Sequence, residues 1–214
     1  MNGGIIMEYD ARFYYSKEEL DKIIDRLNNI SELHSNLRIY EKVIEYDNRN
    51  KKYHLDNNEH LRIRISHNEL INKCKLSWKK EVTNKLGIKS IEEKKVKINY
   101  VDVDNLVYIL DKVMHFKVSM CYERYRIIYE NNDIEISIDE YPFGICIKVE
   151  NKSIDRLPLN VINEWVDRLG LNRKDLENLN ALDEYYKLCQ EQNIKYYKEI
   201  TFDKPMPIIN NKLK

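Results

Sequence analysis

The sequence predicts an α+β fold: a closed antiparallel β-barrel, or tunnel, with a charged lumen and helices packed outside it. Three observations carry this. Seven stretches alternate charged and apolar residues with a period of two, as half-buried strands do. Other stretches repeat apolar residues at helical spacing and need an apolar surface to cover. The charged strand faces are rich in arginine and carboxylate, while threonine and glutamine, common on solvent faces, are nearly absent. Helices laid on the apolar side of a curled sheet leave its charged side pointing inward, and closure removes exposed edges. The plain alternative is a half-buried sheet whose charged face meets water through weak cross-strand ion pairs.

The elements follow in order. MEYDARFYY, residues 7–15, puts Glu8, Asp10 and Arg12 on one face and Tyr9, Ala11 and Phe13 on the other. SKEE, Ser16 to Glu19, reads as a capping box before Leu20, Ile23, Ile24, Leu27 and Ile30. LRIRI sets Arg62 and Arg64 against Leu61, Ile63 and Ile65, and KLSWK sets Lys75, Ser77 and Lys79 against Leu76 and Trp78. EKKVKI sets Glu93, Lys95 and Lys97 against Val96 and Ile98. A helix over 102–114 carries the stripe Leu106, Ile109, Leu110 and Val113. RYRII places Arg124 and Arg126 together. DIEISID alternates Ile134, Ile136 and Ile138 with Glu135, Ser137 and Asp139, and ICIKVE alternates Ile145, Ile147 and Val149 with Cys146, Lys148 and Glu150. A helix opens at Pro158, buries Ile162, Trp165, Val166 and Leu169, and stops at Gly170; a fourth covers 181–191.

The whole chain fits one domain over residues 1–214, with a core of about 7–190 and a C-terminal tail over 191–214. Lysine plus arginine equals aspartate plus glutamate at 36 each, a balance that argues against generic nucleic-acid or membrane adhesion. No apolar stretch approaches a membrane span, and no basic flank precedes an apolar run at the N-terminus, so a cytoplasmic location is expected. The four cysteines have no close pair and read as free thiols; the five histidines have no metal-ligand spacing.

Such a lumen gathers Arg12, Arg62, Arg64, Lys75, Lys79, Arg124, Arg126 and Lys148 with Glu8, Asp10, Glu135, Asp139 and Glu150. Confined like charges cost free energy unless a ligand compensates them. Many cations call for a polyanion, and arginine suits forked phosphate contacts. The carboxylates would repel that polyanion unless a hard divalent cation sat between them. The combination points to a metal-bound polyphosphate, with Glu8 and Asp10 on the metal and Arg12 on phosphate.

These residues match a known pattern. The chain resembles the CYTH domains of the triphosphate tunnel metalloenzymes, which include thiamine triphosphatases, inorganic tripolyphosphatases and class IV adenylyl cyclases. EYDAR is similar to the family's opening ExExK strand, HLRIR to its second landmark, and KLSWKK to its LTxK strand. ERYRIIY resembles K-x-R-x-x-Y, ISIDEYPFGICIKVE the segment from an aspartate through a Trp-Pro turn to EIE, and DEYYKL the SYYELL-type helix. The order of these landmarks runs from residue 8 to 188. The resemblance implies an eight-stranded closed antiparallel barrel that hydrolyses a triphosphate (inorganic tripolyphosphate, a nucleoside triphosphate or thiamine triphosphate) with Mg²⁺ or Mn²⁺. Glu8, Asp10 and Glu150 would hold the metal. Arg12, Arg62, Arg64, Lys75, Lys79, Arg124, Arg126 and Lys148 would bind substrate, and Glu93 or Asp139 would assist the water or a second metal beside Glu8 and Asp10. Alternatives within the resemblance are an adenylyl cyclase making cAMP from ATP, an RNA 5′-triphosphatase, and a non-catalytic triphosphate or nucleotide binder. A small-molecule triphosphate is the expected partner, with no membrane and no nucleic acid beyond an RNA 5′ end, for a monomer or homodimer. The departures are Asp10 for glutamate, Arg12 and Arg124 for lysine, and Lys148 where EIE places a carboxylate.

Overall fold

In a computed structural model that describes residues 9–47, 59–83 and 89–213, the described residues fall into two compact units. One is built from Tyr40–Glu123, the other from the segments up to Ile39 and from Arg124 onward. The strands are β1 (Asp10–Tyr15), β2 (His34–Ser35), β3 (Ile39–Asp47), β4 (Glu59–His67), β5 (Asn72–Thr83) and β6 (Lys89–Ile98), then β7 (Lys117–Glu130), β8 (Ile134–Tyr141), β9 (Gly144–Asn151), β10 (Leu176–Glu177) and β11 (Glu199–Ile200). The helices are α1 (Leu20–Asn28), α2 (Val103–Tyr108), α3 (Pro158–Arg168) and α4 (Ala181–Glu191).

In the second unit, Ser16 begins the first helix as its spacing requires. Its Oγ accepts from the Glu18 amide at 3.4 Å, and a single 3₁₀ turn, Lys17–Glu19, leads into α1. Only half of the capping box forms, because the Ser16 amide donates to the Asn211 carbonyl at 2.8 Å instead of to Glu19. Ile23 and Leu27 of α1 and Val161, Trp165 and Val166 of α3 join the core that takes in Phe13, Ile136, Ile138, Ile145, Ile147 and Val149. These are the apolar alternates of β1, β8 and β9, so the helices cover that sheet face. Gly170 ends the α3 segment at φ +61°, a conformation that favours glycine.

The segment expected as a tail is stitched to this unit. Ile209 and Leu213 are buried, the Ile209 amide donates to the Phe143 carbonyl at 2.9 Å, and Lys22 Nζ donates to the Leu213 carbonyl at 2.8 Å. Gly144 makes the close approach possible: a Cβ there would stand 2.5 Å from Ile209 Cδ1 and 2.9 Å from the Tyr15 carbonyl oxygen. The methyl end of Ile209 can yield, but the Tyr15 backbone cannot. Gly144→Ala is therefore expected to cost about 1–3 kcal/mol in urea unfolding; an unchanged midpoint would show that the segment is not seated on β9.

In the first unit, β3, β4, β5 and β6 pair antiparallel in sequence order. Tyr46, Ile63, Cys74, Val103, Leu110 and Phe116 form its buried core, flanked by Ile44, Leu61, Ile65 and Leu76. The helix expected over 102–114 is α2 followed by one π-helical turn, Ile109–Val113, closed by the Met114 amide on the Ile109 carbonyl at 2.8 Å. That wider turn rotates the expected stripe: Leu110 is buried, but Ile109 and Val113 face solvent. Strand β3 was not among the seven anticipated. Its IYEKVIEYD places Val43 opposite Arg64 and Lys42 opposite Ile65, which blurs the two-residue alternation.

The expected closed barrel is not what the strands make. The order runs β10-β1-β9-β8-β7-β3-β4-β5-β6, with β2 and β11 pairing β7, and no pairing among the described residues joins β6 back to the other end. The outer side of β1 is taken by β10, through Arg12 opposite Glu177 and Phe13 opposite Leu176. The terminal strand β6 carries Lys94, Lys95 and Lys97, charges that discourage further edge pairing. Among the described residues the pairing leaves the two ends of the sheet unjoined, and the charged residues occupy faces of its strands.

Candidate functional site

Directly opposed residues of antiparallel strands share a face, so register decides which charges meet. In the second unit Asp10, Glu150 and Glu135 stand opposite one another across β1, β9 and β8. The next row is Arg12, Lys148 and Ser137, and the next is Tyr14, Cys146, Asp139 and Arg126. All lie on the side of the sheet away from the Phe13 and Ile147 core.

Four of the expected site residues form one connected cluster here. Arg12 Nη2 donates to Asp10 Oδ2 at 2.8 Å, and Lys148 Nζ stands 3.7 Å from the same oxygen. Lys148 Nζ also pairs closely with Glu150 Oε2. Burial works most strongly on the Arg12 guanidinium and lowers its pKa, but the charge and hydrogen bond of Asp10, with Tyr14 and Cys146, together raise it above its ordinary value. Lys152 repeats the device at the other flank of the carboxylate row. Its Nζ lies 2.8 Å from Glu130 Oε2 and 3.7 Å from Glu135 Oε2, and the hydrogen bond to Glu130 raises its pKa.

A second cluster surrounds Asp139, whose side chain is 5% exposed. It accepts from Arg124 Nη1 at 3.0 Å and from Arg126 Nε and Nη2 at 2.5 and 2.6 Å. Arg124 Nη1 also donates to Tyr141 Oη at 3.1 Å. Asp139 thus holds a two-point fork on Arg126, which suits it to positioning that guanidinium more than to activating water. In the same row burial pushes the Cys146 thiol up to about 12, which makes it an inert packing thiol.

The first unit carries the remaining described site residues on one face. Arg62 Nε donates to Ser77 Oγ at 3.2 Å, Arg64 Nε lies 4.0 Å from Glu41 Oε2, and Lys79 Nζ lies 3.7 Å from Glu93 Oε1. Lys75 is exposed, directly opposite Arg64. Glu93 is therefore a counter-ion to Lys79.

Glu8 lies outside the described residues. Among those described, no three histidine, cysteine, aspartate or glutamate side chains are grouped to hold a metal ion, and Lys148 engages both Asp10 and Glu150. Glu135, expected among the lumen carboxylates but not among the metal-holding residues, stands directly opposite Glu150, whereas Glu41, Tyr141 and Lys152 carried no expected role. Glu41 was missed with its strand. No helix among the described residues is long and apolar enough to cross a membrane.

No protein-family model matches the sequence, and no curated protein matches it. Solved structures do share the fold. A protein of Pyrococcus horikoshii is 22% identical over 85% of this chain and 99% of its own, with a TM-score of 0.61. A candidate adenylate cyclase of Vibrio parahaemolyticus is 14% identical over 85% of this chain and 98% of its own, with a TM-score of 0.59. A candidate adenylyl cyclase of Hippeastrum, with a dominant triphosphatase activity, is 13% identical over 89% and 98%, with a TM-score of 0.54. At these identities the likeness is one of fold.

Proposed function

We propose that this protein is a CYTH-superfamily member that binds a triphosphate and hydrolyses it with the help of a divalent metal. One observation carries the reading: in each unit the cations gather on the sheet face opposite the helices. Arg62, Arg64, Lys75 and Lys79 share such a face in one unit, and Arg12, Arg126 and Lys148 in the other. Fixed guanidinium forks suit phosphate oxygens, and they stabilise charge that spreads over them as a phosphoanhydride bond breaks. The likeness of fold to candidate cyclases and to a triphosphatase supports the same chemistry.

Asp10 and Glu150, with Glu8, are the proposed metal-holding residues, and Glu135 is placed to join them opposite Glu150. Carboxylate oxygens suit a hard cation such as Mg²⁺ or Mn²⁺, which when bound would neutralise phosphate oxygens and orient a water. Lys148 competes for the same oxygens. That contact favours a second reading, a non-catalytic triphosphate binder in which the ammonium supplies the positive charge.

Phosphate release from tripolyphosphate, ATP and thiamine triphosphate, with and without Mg²⁺ or Mn²⁺, tests the two. Metal-dependent release from at least one is expected. Binding without release under any condition would establish the binder instead, and neither binding nor release would remove both.

A further inference from the structure

On the charged face of the unit Tyr40–Glu123, Arg64, Lys75 and Lys97 stand directly opposite one another on β4, β5 and β6. Lys73 precedes Lys75 by two residues and shares its face, as does Lys95, which lies opposite Ser77. Lys73, Lys75, Lys95 and Lys97 are all exposed. Lys95 reaches Glu93 at 3.6 Å, but Lys73, Lys75 and Lys97 form no ion pair among the described residues. Like charges directly opposite each other destabilise a sheet. Lysines on β6 also keep a terminal strand from pairing further. That purpose does not explain Lys73 and Lys75, which lie on β5, a strand paired on both sides.

We infer that this row is an outer anion track that takes a linear polyphosphate longer than three phosphates. Adjacent strands lie about 4.8 Å apart, so Arg64, Lys75 and Lys97 carry positive charge over about 10 Å toward the β6 edge. The track continues outward from Arg64 and Lys75, two residues of the proposed triphosphate face, and in that respect it rests on that reading. A polyphosphate carries charge on every unit and matches a closely spaced row of cations. The described side chains on this face of β4, β5 and β6 include no phenylalanine, tyrosine or tryptophan. The ring of His60 stands opposite Lys79, two rows away from Arg64, Lys75 and Lys97, so a nucleic-acid base has no ring to stack on within the row itself.

The test is binding of tripolyphosphate, a medium-chain polyphosphate and a single-stranded oligothymidine across a salt series, to the wild type and to the double variant Lys73→Ser, Lys97→Ser. The medium chain is expected to bind the wild type more tightly than tripolyphosphate does, with a steeper salt dependence. The double variant is expected to keep tripolyphosphate affinity and to lose about two from the salt slope of the medium chain, one for each phosphate contact removed. Equal slopes for the two proteins would overturn the track, and so would tighter binding of the oligothymidine than of the medium chain. A matching fall in tripolyphosphate affinity would place both lysines in the inner site and overturn a separate track. Lysine-dependent binding of the medium chain without any tripolyphosphate binding would uphold the track while the triphosphate reading failed.

Discussion

Asp139→Ala is expected to remove about 3–5 kcal/mol of folding stability, the scale for deleting one partner of a buried ion cluster. The carboxylate is almost fully buried and receives three arginine N–H groups, from Arg124 and from both ends of the Arg126 fork. Arg124 is itself 4% exposed, so its charge has little water to fall back on when this partner is gone. The loss is therefore one of a buried charge partner as well as of hydrogen bonds. Urea unfolding at neutral pH measures it, with Asp139→Asn as the variant that keeps shape and one acceptor and loses less. A loss under about 1 kcal/mol in the alanine variant would mean that the arginines are satisfied without Asp139. The same substitution is expected to weaken tripolyphosphate binding, because Arg126 loses the partner that fixes its orientation.

Lys148→Glu is expected to convert a cation-filled carboxylate cluster into a metal-hungry one. Lys148 now sits against Asp10 and Glu150. Its replacement puts an acid opposite Arg12, beside Asp10 and Glu150, and changes the local charge by two. Charges about 4 Å apart at a partly exposed site interact by up to about 4 kcal/mol before screening, so a rise in Mn²⁺ or Mg²⁺ affinity of at least about tenfold is expected. The metal-free variant is expected to melt below the wild type, through carboxylate repulsion, and to recover when the metal is added. Calorimetric metal titrations and melts in the presence of a chelator check both. Equal metal dependence of the two proteins would remove Lys148 from any metal site.

Much of this arrangement is legible before folding. The period-two pattern of LRIRI, KLSWK, DIEISID and ICIKVE assigns each side chain to the face it occupies, since a register slip would expose Ile63, Ile136 and Ile147, all fully buried. Helix starts and stops at Ser16, Pro158 and Gly170 are equally local. What the sequence hides is non-local. Closure depends on which strand takes the free edge of β1, and two residues after α3, Leu176 and Glu177, take it. The surroundings of Asp139 depend on pairing with β7: alone it reads as a residue that would assist the water or a second metal, and in the fold it stands opposite Arg126 and pairs with it. The π-turn after Tyr108 leaves no mark that spacing alone reveals, and it turns Ile109 and Val113 outward.

Triphosphate binding by the folded protein is expected to depend on its one-sided cationic faces. Thermal melting with tripolyphosphate, against sulfate at matched ionic strength, measures this dependence. A ligand that relieves repulsion among fixed cations binds the folded state, and at about one hundred times its dissociation constant it adds about 2.7 kcal/mol. Tripolyphosphate is expected to raise the melting temperature well beyond sulfate, and the difference is expected to shrink in Arg64→Ala and Arg126→Ala. No shift with tripolyphosphate, or one no larger than with sulfate, would mean that these faces do not bind a triphosphate.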